Sequence, residues 1–181
     1  MEGDQQVGQA PAIVLVRRLA EPAAPMPALQ LPLTADQRTS LRSHRRSACG
    51  RDLLLQLPRA EALQPGERLL SDDGAVQVLV VAAAEPLMRV RATEPLALLQ
   101  AAYHLGNRHV AMELHADQLL LLQDSVLADL LRQRGLHVEC FEAPFQPEAG
   151  AYAGFGHSHG HSHGHGHSHS HGHAHAPAAN P

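Results

Sequence analysis

Apolar residues come in short runs, bounded by turn signals, along the first half of the chain. AIVLV at residues 12–16 has the length and composition of a strand, and DLLLQL at residues 52–57 has the same character and is closed by Pro58. RLL at residues 68–70 and VQVLVV at residues 76–81 flank Ser71-Asp72-Asp73-Gly74, a strong hairpin signal, and Pro65-Gly66 centres a turn just before it. LRSHRR at residues 41–46 sets basic residues at near-alternate positions, which suits a strand with one solvated face more than a phosphate site. Residues 21–27 are rich in Pro and Ala and irregular.

The rhythm changes after residue 84. LMRVR at residues 87–91 is a strand. Thr93 is the expected cap of a helix that carries Glu94 and Pro95 in its first turn. Leu96, Leu99 and Tyr103, with Leu98, Ala102 and Leu105, make one broad apolar face expected to lie on the core, and Gly106-Asn107 ends the helix as a C′ glycine does. Residues 110–114 and 118–123 pair across His115-Ala116-Asp117. Asp124 or Ser125 caps a second helix, which turns Leu127, Leu130 and Leu131 to the core and stops at Gly135. HVECF at residues 137–141 is the last strand. The order over about residues 86–142 is βαββαβ, the ferredoxin-like plan, with two helices on one sheet face and the other face, or a helix edge, left for a partner. The expected fold class is therefore α+β. A small all-β domain (residues 1–84) precedes a ferredoxin-like domain (residues 85–149) and a disordered His-rich tail (residues 150–181).

That tail brings in the chemistry. Of the 15 histidines, ten fall at His157, His159, His161, His163, His165, His167, His169, His171, His173 and His175, alternating with Gly, Ser and Ala. The alternation sets the segment apart from the uninterrupted run of a purification tag. No packed core can use it, and neutral imidazole is the commonest side-chain ligand of borderline transition metals. Below about pH 6.5, the ordinary histidine pKa, the tail becomes strongly cationic and protons compete with metal for the ring nitrogens.

The rest of the composition narrows the function. A net charge of −4 gives no sign of a nucleic-acid binder. Cys49 and Cys140 show no CxxC spacing and are expected to be buried or partly buried thiols in a reducing compartment. Residues 1–6 are acidic and polar, unlike a secretory leader. The longest apolar runs, residues 78–84 and 119–122, fall short of a membrane span, so a cytoplasmic protein with no membrane partner is expected. There is no P-loop, HExxH or GxSxG and no recognisable carboxylate pair, so no enzyme is expected.

Outside the tail stand His44, His104, His109, His115 and His137. His104 and His109 are five residues apart, about 140° around a helix, and do not chelate from one helical face. His109 is expected just past the helix break, at the start of a strand on a stiff junction. A lone histidine there is by default structural. Near the axis of a two-fold dimer it becomes half of a bis-histidine site with open positions.

YHLGNRHV at residues 103–110, LLRQRG at 130–135 and PFQPEAGAY at 144–152, followed by a His-rich end, resemble the UreE family of urease accessory proteins, from about residue 53 onward. The resemblance implies a cytosolic homodimer with a β domain for protein partners and a ferredoxin-like metal-binding domain. In it, His109, one from each subunit, is the interfacial nickel ligand. It implies Ni(II) delivery to the apo-urease activation complex together with the GTPase UreG. Zn(II) and Cu(II) are expected to bind the same imidazoles in vitro, Cu(II) ahead of Ni(II). Some relatives carry further ligand histidines where this chain has Gln123-Asp124-Ser125, so no second site is carried over, and His115 is more a turn residue than a substitute. The tail would raise the local metal concentration near the His109 pair. The alternative function is a nickel store or detoxification buffer without a client.

Overall fold

In the computed structural model, described over residues 11–19 and 28–149, the first half of the chain forms a six-stranded sheet. Its strands are β1 (Ile13–Leu19), β2 (Ala28–Leu33), β3 (Arg42–Arg46), β4 (Asp52–Gln56), β5 (Arg68–Ser71) and β6 (Gln77–Ala82), in the order β2-β6-β5-β1-β4-β3. β1 runs parallel to β4 and β2 parallel to β6; the other neighbours are antiparallel. Leu15, Leu31, Leu33, Leu53, Leu55, Leu69, Val78 and Val80 turn to one side and are fully buried in a single cluster. Each such side chain contributes roughly 1.5–3 kcal/mol of transfer free energy.

Every strand expected in this half is present. β2 is an addition. Its ALQLPL carries Pro32, which argues against a central strand, and the structure puts it at the sheet edge, where a missing N–H is tolerated. A helix also interrupts this half: α1 (Ala35–Thr39), which is only five residues long but has a complete capping box between Thr34 and Gln37.

The second half comprises β7 (Ala84–Arg91), α2 (Pro95–Gly106), β8 (Glu113–Leu114), β9 (Leu119–Leu122), α3 (Ser125–Gln133) and β10 (His137–Pro144). The sheet order is β10-β7-β9-β8, antiparallel throughout, so the ferredoxin-like reading holds. Met88, Val90, Leu119 and Leu121 face Leu98, Ala101 and Leu105 of α2 and Ala128 and Leu131 of α3. Leu127 packs at the rim of this core, whereas Leu130 stays half-exposed outside it. The opposite sheet face is not left wholly open. Leu87, Leu120 and Phe145 form a small buried cluster against Ala35 of α1.

α1 is thus the joint between the two sheets. Its Ala35 N–H donates to Glu85 Oε1 at 2.7 Å, and the buried Arg38 guanidinium donates to the Phe145 carbonyl at 2.7 Å. Among the described residues no helix is long and apolar enough to cross a membrane.

Candidate metal centre

α2 departs from the expected pattern at its start, on its outer face and at its end. Its N-cap is Glu94, one residue after Thr93, and Glu94 makes no side-chain cap bond; Pro95 opens the first turn. The broad apolar face splits in two. Leu98, Ala101 and Leu105 are buried, but Leu96, Leu99 and Tyr103 are 64%, 68% and 67% exposed. At 100° per residue the two sets lie on roughly opposite sides of the helix. The sequence signal was the width of the face, since six apolar positions span more than one core-facing stripe needs.

At the other end Gly106 is still helical, and the left-handed residue is His109, with φ 57°. It is the one non-glycine residue with positive φ among those described. The His109 N–H donates to Gly106 O at 2.9 Å and the Val110 N–H to Leu105 O at 3.1 Å. That pair of bonds is a Schellman motif with His109 at C′ and Val110 at C″. Val110 packs against the core that holds Leu105, which fixes the reversal, and the Arg108 guanidinium donates to His104 O at 3.2 Å. A left-handed L-residue costs roughly 1–2 kcal/mol, which a glycine would avoid. His109 therefore stands in a turn and not at the start of a strand: residues 110–112 belong to no strand, and β8 begins only at Glu113.

The His109 side chain is exposed, and its ring nitrogens have no hydrogen-bond partner among the described residues. The other histidines are placed differently. His104 stacks edge-on against Tyr103, their ring centroids 5.5 Å apart. His115 Nε2 lies 2.9 Å from Glu113 Oε1, whose other oxygen accepts the Gln146 N–H, so His115 is tied into its turn as expected. His44 lies on β3 and His137 on β10, both exposed. No group of three or more His, Cys, Asp or Glu able to hold a metal ion occurs among the described residues. Cys49 and Cys140 are both exposed, against expectation, and hydrogen bonding to Ser47 holds the Cys49 thiol below its ordinary pKa. The ten tail histidines, from His157 to His175, lie outside the described residues.

Residues 14–83 match the family model of the UreE urease accessory protein N-terminal domain, and residues 85–175 match that of its C-terminal domain. The chain belongs to the UreE family. Among its relatives, a urease accessory protein UreE of Parasynechococcus marenigrum (strain WH8102) is 57% identical over 145 residues, covering 80% of this chain and 96% of that protein. A UreE of Synechococcus sp. (strain CC9311) is 59% identical over 136 residues, 75% of this chain and 88% of that protein. A UreE of Burkholderia lata is 50% identical over 127 residues, 70% of this chain and 60% of that protein. The C-terminal UreE model runs from residue 85, the second residue of β7, to residue 175, the last histidine of the tail.

Proposed function

We propose that this UreE-family chain is a nickel metallochaperone that carries Ni(II) as cargo and passes it to apo-urease during urease maturation, with the accessory GTPase UreG as a working partner in the cytoplasm. The observation that carries the reading is His109: a strained, exposed imidazole without a partner, at a rigid helix end where glycine would be cheaper. The negative end of the α2 dipole favours a cation beside it.

One imidazole is a poor site, so a second copy is part of the proposal. The exposed stripe Leu96, Leu99 and Tyr103 supports a homodimer packed over the outer face of α2, with the two His109 rings near the two-fold axis. Tail histidines or water complete the coordination. Such a site holds its ion with few fixed ligands and yields it by ligand exchange to a better-coordinating acceptor. Zn(II) and Cu(II) compete for the same imidazoles.

The test is urease activity against nickel concentration in a urease-producing host. His109→Ala should impair activation at limiting nickel more than the loss of any single tail histidine, and added nickel should restore it. Coincident curves at low nickel for wild type, His109→Ala and a chain truncated after Gly156 would sink delivery in favour of storage.

A further inference from the structure

The chain does not leave the four-stranded sheet where β10 ends. Pro144 makes the last rung with Ala84, and residues 145–148, part of the PFQPEAGAY stretch, turn back over the helix-free face. Phe145 is buried there with Leu87 and Leu120, and its carbonyl accepts the Arg38 guanidinium at 2.7 Å. The Gln146 N–H donates to Glu113 Oε2 at 3.0 Å, and the Glu148 N–H to Met112 O at 2.7 Å. Residues 145–148 thus form a strap from one edge strand, β10, to the other, β8. Segments that merely leave a domain are poorly ordered unless tied down. This one is tied at successive points, and two of the ties lead to one place.

That place is the stretch behind His109. Residues 110–112 belong to no strand, so no ladder holds them. In front, the Val110 N–H is fixed to Leu105 O at the end of α2. Behind, Glu148 holds Met112 O and Gln146 meets the Glu113 carboxylate, which leaves Ala111 alone between the two anchors. Met112 packs on the same core as Val110, and its Cε lies 3.9 Å from where a β-carbon on Gly106 would stand. A left-handed histidine persists only where its surroundings over-determine it. α2 supplies one side of that constraint and the strap supplies the other. Among the strap's ties, Glu113 is the one side chain on the His109 side. Its second oxygen lies 2.9 Å from His115 Nε2, so the carboxylate cannot swing away without losing two partners.

We propose that residues 145–148 brace the His109 turn, and that Glu113 is the positioning residue that fastens the brace: by accepting the Gln146 N–H, its carboxylate holds residues 110–113 in place and so fixes where the His109 ring stands. The consequence for nickel rests on the reading of His109 as the ligand; the brace itself does not. Glu113 touches no ion in this role. A ligand whose supports are loose binds poorly, and groups behind a metal ligand commonly set roughly 10–100-fold of the affinity.

The test uses the full chain, metal-free and with Ni(II). In the metal-free chain, Glu113→Ala should speed amide hydrogen exchange about tenfold or more at Gln146 and also at His109 and Val110. Leu127 and Ala128, whose N–H groups are held by Asp124 at the start of α3, should keep their rates. With Ni(II), calorimetry should show the tight site weakened about tenfold. Glu113→Gln keeps an oxygen for the Gln146 N–H and should restore both values. His115→Ala removes the other partner of Glu113 and should change neither. Should Glu113→Ala lose its fold by circular dichroism, Gln146→Pro, which deletes the donor and leaves Glu113 in place, should reproduce both effects. Nickel bound as weakly by Glu113→Gln as by Glu113→Ala overturns the brace, since the carboxylate then acts by its charge. Exchange that quickens at Gln146 but not at His109 and Val110 overturns it whatever nickel does, since the strap then frays alone. His109→Ala, run alongside, separates the two readings: an unchanged tight site there overturns the nickel reading, while the exchange rates still decide the brace.

Discussion

α2 and α3 pack side by side on one sheet face and stop on the same hydrogen-bond pattern, yet they reach it with different residues. α3 begins at Asp124, whose carboxylate accepts the Leu127 N–H at 2.9 Å, and ends with Gly135 at φ 80°. There the Gly135 N–H donates to Arg132 O and the Leu136 N–H to Leu131 O. Each of those choices is the locally cheapest one. α2 begins at an uncapped Glu94, shows Leu96, Leu99 and Tyr103 to solvent, and puts a histidine where α3 has glycine. Natural sequences break local rules where function requires it, and the breaks on α2 gather on one helix. The comparison teaches that α3 is built for stability, while α2 gives up stability at its end and solubility on its face for something outside the fold.

The largest effect should come from removing the imidazole. If His109 is the proposed nickel ligand, His109→Ala should abolish a tight Ni(II) site of about one ion per dimer, with an affinity loss of about a hundredfold or more, leaving only weak multiple binding by the tail. Truncation after Gly156 should do the reverse, lowering the number of ions and keeping the tight one. Gly135→His, which places an imidazole at the equivalent point of α3, should gain no tight site. Calorimetry of the four chains decides this. An unchanged tight site in His109→Ala breaks the contrast between the helices.

Next comes the outer face. If the exposed stripe is the proposed dimer contact, Leu99→Glu at its middle should shift the monomer–dimer equilibrium toward monomer by at least tenfold in sedimentation, because it places a charge in the face that the second copy would bury. Val126→Glu on α3, at an apolar residue that is 76% exposed and lies outside that stripe, should leave it unchanged. If both behave alike, the stripe is ordinary surface.

Much of this was legible in the chain. Five of the six strands of the first sheet, the βαββαβ order, the Asp124 cap and the Gly135 stop follow from local rules that the structure obeys. What was not legible came from competition between rules. Gly106 looks like a helix stop because glycine is the usual C′ residue, but Val110 is the apolar residue that docks beside Leu105, and its position carries the reversal three residues on, to His109. Leu96, Leu99 and Tyr103 look like core because periodicity registers apolar spacing and not what covers it. β2 hid behind Pro32, whose tolerance depends on an edge position that one strand's sequence does not specify. His109 itself was found by its motif, while its strain could be found only in the backbone.

The strain gives a prediction independent of nickel. His109→Gly should raise stability by about 1 kcal/mol in metal-free urea unfolding, since glycine enters the left-handed region without the Cβ clash, while part of that gain is lost to the greater freedom of the unfolded chain. His109→Ala keeps the clash and should change little. Gly135→Ala, the mirror experiment on α3, should cost about 1 kcal/mol. A His109→Gly chain no more stable than His109→Ala means that the left-handed turn is not strained, and the difference between the two helix ends disappears.

The smallest effect belongs to the helix starts. Asp124→Ala removes a carboxylate that satisfies the Leu127 N–H, and should cost about 1 kcal/mol. Glu94→Ala removes no such bond and should fall within about 0.5 kcal/mol of wild type. Glu94→Ser, by contrast, supplies a short hydroxyl at the N-cap with Ala97 three residues on, and should stabilise α2 by about 0.5 kcal/mol or more. Urea midpoints at constant m-value measure all three. Their order separates two explanations of why α2 is uncapped. If Glu94→Ser stabilises the chain and leaves nickel binding and dimerisation intact, the missing cap is incidental, and the functional departures of α2 are confined to its outer face and to His109. If it stabilises the helix but weakens nickel binding or the dimer, the loose start is part of the device, and α2 must shift as a whole when the second copy or the ion arrives.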